Sequence, residues 1–178
     1  MSDSELTDSL AEPVKVLQII VAAMVAGVVL FLGVVIHSHA GGRLADQPDG
    51  TGSLVTYIAT GYGVVAVLAR TVLASVIVAN GRRKIAQSHT EDPMSGDDNV
   101  VDGLVSLYRV RTIVAAAVLE GSALFCVVAY LIEGESLAAI AAIVLTLLLA
   151  GHFPTCGRVA GWIDREQRRI EQERLSTR

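Results

Sequence analysis

Two stretches decide how this chain folds: SLVTYIATGYGVVAVLARTVLASVIVA (residues 53–79) and VRTIVAAAVLEGSALFCVVAYLI (residues 110–132). Each is apolar over the length of a membrane-crossing helix, about 20 residues. Each also carries one charge deep inside it, Arg70 in the first and Glu120 in the second. Arg70 lies ten residues before Asn80, and Glu120 lies ten residues after Val110. In antiparallel helices both charges therefore sit about 15 Å in, at 1.5 Å rise per residue, the middle of a hydrocarbon core about 30 Å thick. One charge at that depth is costly, whereas two opposite charges at one level satisfy each other.

The rest of the chain has the same character. Hydrophobic residues make up 52% of it and charged residues 18%, against about 25% charged in an ordinary soluble domain. The charges cluster between apolar runs. The expected fold is all-α: a polytopic membrane protein with four transmembrane helices at about 14–36, 53–79, 110–132 and 137–153 in an antiparallel bundle. An N-terminal segment (1–13) precedes the membrane domain (14–156), and an amphipathic helical tail (157–178) follows it. The first apolar run exceeds the 7–15 residues of a signal-peptide core, and its leader carries Asp3, Glu5, Asp8 and Glu12, so it reads as a retained anchor. Asn80-Gly81 is expected to end the second helix and Pro154 the fourth.

Lysine and arginine placement sets the expected orientation. Arg82, Arg83, Lys84, Arg109 and Arg111 lie between spans two and three; Arg158, Arg165, Arg168, Arg169, Arg174 and Arg178 lie in the tail. The opposite-side loops, 37–52 and 133–136, hold only Arg43. Both termini are thus expected in the cytoplasm and the spans in the inner (plasma) membrane.

Small residues mark the expected helix contacts. Ala59, Gly63, Ala66, Arg70 and Ala74 share one face of span two, and Thr112, Ala116, Glu120 and Ala123 share one face of span three. Close approach there would join Arg70 to Glu120, through two hydrogen bonds at best. Two roles fit such a pair. It fixes helix register and partner choice, or Glu120 exchanges a proton or cation while Arg70 tunes it. Arg70 also has the alternative of snorkelling to the cytoplasmic face.

Residues 111–123, RTIVAAAVLEGSA, resemble the second helix of the rotary ATPase c subunit, where an Arg-Thr start and an Ala-rich run lead to an ion-carrying carboxylate. The resemblance covers one span and implies Glu120 as the ion-binding group; span two offers Gly61 and Gly63 but no extended alternate-glycine motif. A broader resemblance, carried by Leu119-Glu120-Gly121, Ala123-Leu124-Phe125 and Phe153-Pro154-Thr155, is to small bacterial four-span membrane proteins. It covers the last two spans and supplies no activity.

The remaining polar residues bring no chemistry together. His37 and His39, with Asp46 and Asp49 beyond, lack the ligand number of a metal centre, and Asp97, Asp98 and Asp102 lack the alternating spacing of a calcium loop. His152 is expected to make an interfacial hydrogen bond. Ser53, Ser75 and Ser122 lie in no nucleophile motif, so no enzyme and no cofactor are expected. Cys126 and Cys156 should lie at different depths and form no CxxC pattern. No basic run long enough to follow a phosphate backbone occurs, so nucleic acid is not a partner. The expected neighbour is the lipid bilayer, with a second copy of the chain or another membrane protein left open. In the tail, Val159, Trp162, Ile163 and Ile170 form an apolar stripe suited either to the inner leaflet or to a partner helix. Asp164–Arg168, Glu166–Arg169, Arg169–Glu173 and Glu171–Arg174 are spaced as ion pairs.

Overall fold

The computed structural model describes residues 3–41, 53–91 and 97–176. Within them the chain is all helix: α1 (Asp3–Ala40), α2 (Leu54–Glu91), α3 (Asp97–Glu133), α4 (Ser136–Ala150) and α5 (Cys156–Ser176). Three helices are long and apolar enough to cross a membrane, over Glu12–Ala40, Leu54–Gly81 and Gly103–Glu133. The expected fourth span holds an apolar helix of only 15 residues, Ser136–Ala150, which rises about 22 Å against a core of about 30 Å.

One sequence expectation fails clearly. Asn80-Gly81 does not end α2, which runs on to Glu91. Gly81 has no positive φ; among the described residues that conformation belongs to Gly134 alone, at φ 68°. Gly81 is instead a point of close approach. A Cβ built on it would meet the Leu107 side chain on α3, closest at Cδ1, with Cδ2 at 2.8 Å and Cγ at 3.1 Å. Glycine occurs there because a neighbour needs the space, and arginine, lysine, alanine and glutamine after it are good helix formers. The expected 30-residue connector therefore shrinks to residues 92–96, outside the described residues.

The chain divides into two compact units: Met1–Ile19 with Leu73–Ile113 and Pro154–Arg178, and Ile20–Val72 with Val114–Phe153. Helix α1 continues unbroken through Pro13.

The second unit has one apolar core to which four helices contribute. Val21, Val28 and Val35 come from α1, Ala59 from α2, Leu119, Ala123 and Cys126 from α3, and Ala138, Ala142 and Leu149 from α4. The α3 helix is the central one: half of its most apolar window is buried, against 17% for α1 and for α2. What those helices leave outside is apolar too, with Leu30 70%, Leu54 68% and Leu147 66% exposed. Contiguous surface of that kind suits lipid rather than water. Two hydroxyls in this unit bond within their own helices: Ser122 Oγ donates to Val118 O, and Thr146 Oγ1 to Ala142 O.

The first unit explains the tail. Val159 and Ile163 of α5 are each 1% exposed and pack with Val14 of α1 and Leu104 of α3. Trp162 stands 5.3 Å from Tyr108, and Gln18 Nε2 donates to Pro154 O at 2.8 Å. Val159 and Ile163 of the apolar stripe thus pack on this chain's own helices. Two expected pairs form, Asp164–Arg168 at 3.0 Å and Glu166–Arg169 at 3.7 Å. The side chains of Ile170, Glu171, Glu173 and Arg174 lie outside the described residues.

Candidate functional site

The geometry around α2 begins with its glycine. Gly63 is buried, and a Cβ there would lie 3.1 Å from Leu145 Cδ1 on α4. Seven residues further along α2, and two residues past the end of α4, Arg70 Nη1 approaches the His152 ring, 2.9 Å from Nε2 and 3.3 Å from Nδ1. Both contacts share one sequence offset, so α2 and α4 run in the same direction past each other in fixed register. The α3 helix runs the other way. Cys126 Sγ reaches Ala59 O at 3.6 Å, while Glu133 meets residues earlier in α2.

His152 has a defined role in this contact. Its Nδ1 lies 2.7 Å from Leu148 O, a backbone acceptor. Arg70 Nη1, within reach of both ring nitrogens, lies against the face of the imidazole. His152 thus meets the half-buried Arg70.

The expected Arg70–Glu120 pair is not formed. Among the described residues no ion pair or hydrogen bond joins them, and Glu120 is half-buried with no partner of its own. Two physical reasons account for this. First, the expected face of α2 is real, with Ala59 0% and Ala66 4% exposed, but past Gly63 it is turned toward α4. Second, the buried arc of α3 is centred on Leu119, flanked by Ala116, Ala123 and Cys126, all 0% exposed; Glu120, one residue on, falls at its edge. Register adds to the mismatch. Counted from the Cys126–Ala59 contact, Arg70 lies eleven residues along α2 and Glu120 six back along α3, an offset of about 7 Å.

A second polar contact was not legible in the sequence. The Glu133 carboxylate accepts from the backbone N–H groups of Val55 and Thr56, each at 2.8 Å. These are among the four N–H groups at a helix start that have no intrahelical acceptor. The first turn of α2 contains no acidic residue, so a carboxylate from the end of α3 takes the capping position and meets the positive end of the helix dipole. The available signal was the combination of an uncapped apolar helix start and a glutamate beside a tight turn. Next to it, His39 stacks on Tyr130 with centroids 4.8 Å apart, its Nδ1 3.1 Å from Val35 O. His37 is exposed. No group of three metal-ligating residues occurs among the described residues; Asp46 and Asp49 lie outside them, as do the side chains of Asp97, Asp98 and Asp102 in α3. Comparison with known proteins finds no matching family model, curated protein or solved structure.

Proposed function

We propose that this chain is a four-span protein of the inner (plasma) membrane, both termini cytoplasmic, with a structural or accessory role rather than a catalytic one. The observation that carries the reading is where its polar contacts lie. Arg70–His152 ties α2 to α4 and Glu133 ties α3 to the start of α2, so the charged groups are used to hold helices in register. The fourth span is supported by the turn that follows α4: His152 N donates to Leu149 O and Phe153 N to Ala150 O. The rise then continues from residue 136 to 153, about 27 Å. Orientation is supported by the lysine and arginine distribution. Cysteine accessibility tests the topology: after replacement of Cys126 and Cys156, a cysteine placed at 87 should be labelled only from the cytoplasmic side and one at 47 only from outside. Labelling of both from one side removes the four-span reading.

A second reading is favoured by one observation. Glu120 has no partner among the described residues, so its carboxyl is open to exchange a proton or cation in the manner of the c-subunit helix it resembles. Carbodiimide attacks a protonated carboxyl from an apolar phase. Labelling of Glu120 in membranes near neutral pH, abolished in Glu120→Gln, supports translocation; absence of labelling leaves the structural role alone.

A further inference from the structure

The Arg70 guanidinium has five N–H donors and a permanent charge. Its contact with His152 occupies Nη1 and supplies no negative charge, and among the described residues no carboxylate pairs with it. The edge formed by Nε and Nη2 has no acceptor there either. Thr71 and Val72 beside it on α2 are exposed, as is Phe153 beside His152, and of these Val72 and Phe153 are apolar. His152 lies sixteen residues beyond Ser136, the start of α4, about 24 Å along the rise and near the far side of a core of about 30 Å. An arginine at that level extends its head to the headgroup layer. The planar Nε–Nη2 fork matches two oxygens of a phosphodiester, which supplies both the missing acceptors and the missing charge.

We infer that Arg70, held against the His152 ring, binds the phosphodiester group of a membrane phospholipid. The inference rests on the membrane reading above. Nη1 is taken up by the His152 ring, which leaves Nε and Nη2 without an acceptor among the described residues. The phosphate chemistry has two sources, a lipid headgroup or free phosphate, and the structure favours lipid because the flanking Val72 and Phe153 are apolar.

The test uses the full chain, purified in neutral detergent, stripped of lipid and titrated with phosphatidylglycerol or with diacylglycerol of the same acyl chains. Native mass spectrometry counts the lipids retained. The expected result is one tightly held phosphatidylglycerol per chain and no comparable diacylglycerol. Arg70→Gln should weaken retention about tenfold, the scale of one lost bidentate charged contact. Arg70→Lys, which keeps charge but loses the fork, should fall between. Arg109→Gln, an exposed charge elsewhere on the chain, should match the parent. Equal retention by the parent and Arg70→Gln overturns the inference, as does displacement by millimolar inorganic phosphate, which would make free phosphate the ligand. If Arg70→Gln does not fold, Arg70→Lys and the lipid comparison on the parent decide: no preference for phosphatidylglycerol over diacylglycerol, or retention by Arg70→Lys equal to the parent, overturns it. Failure of the membrane reading is seen separately, as release of the chain from membranes by alkaline carbonate.

Discussion

Replacing Gly81 by alanine, alone and together with Leu107→Ala, tests the packing of α2 on α3 in a way that gives opposite signs in two backgrounds. In a regular helix Gly→Ala stabilises by about 1 kcal/mol. At Gly81 the added methyl enters the space of Leu107, with Cδ2 at 2.8 Å and Cγ at 3.1 Å from its position and Cδ1 nearer still. Overpacking of this kind costs about 1–3 kcal/mol, so the single variant should be destabilised by about 0–2 kcal/mol once the two terms combine. Removing the Leu107 side chain empties the space, and in that background Gly81→Ala should stabilise by about 1 kcal/mol. The coupling between the two sites is then about 1–3 kcal/mol, within the range for residues in contact. The measurement is reversible unfolding in mixed micelles, read by the fluorescence of Trp162, the single tryptophan, whose ring lies 5.3 Å from Tyr108, next to Leu107. Two results refute the reasoning. Stabilisation by Gly81→Ala with Leu107 present means the close approach does not exist. Equal destabilisation in both backgrounds means that Gly81 ends the helix with a positive φ.

Three further outcomes are expected. Gly134→Ala should destabilise by about 1–2 kcal/mol in the same assay, because φ 68° is the left-handed region where a Cβ is crowded; the nearest atom to that Cβ, His39 Nε2 at 3.6 Å, adds no clash. Glu133→Gln should speed hydrogen exchange at the Val55 and Thr56 amides, which it accepts from, and leave the α5 amides unchanged; undiminished protection would show that another group caps α2. Ile163→Ala should cost about 2–5 kcal/mol as a buried large-to-small change, whereas Asp164→Ala, next to it but in an exposed pair, should cost about 0.5 kcal/mol or less.

What was legible in the sequence was the apolar periodicity and what it requires. The small-residue face of α2, the central apolar helix α3, the helical tail and two of its ion pairs all follow from spacing within one helix, where residues three or four apart must meet. What was not legible was which face meets which helix. Arg70 and Glu120 look level in the sequence because Asn80 and Val110 border the apolar runs, and both helices run well past those residues. Gly81 could not be told from a helix stop, because a glycine that makes room and a glycine that turns the chain are the same letter. The Glu133 cap joins residues 77 and 78 apart in sequence, and no local rule reaches that far. His152 was recognised as a hydrogen-bonding residue, yet its partner depends on the α2–α4 register, which is a property of the packed state.

That register has a consequence for how the chain tolerates change. Gly63 faces Leu145 and Arg70 faces His152, and seven residues before Gly63 and Leu145, Thr56 and Ala138 are both 0% exposed. The two contacts sit like teeth of matched racks with a seven-residue pitch. A single residue inserted into one helix between two teeth turns everything beyond it by about 100° and removes arginine from histidine at one stroke. An equal seven-residue insertion into both helices shifts the racks together and keeps every tooth facing its mate. Over this seam, evolutionary or engineered length changes should be accepted in matched pairs and rejected singly, even where each inserted residue is itself a perfectly good apolar helix former.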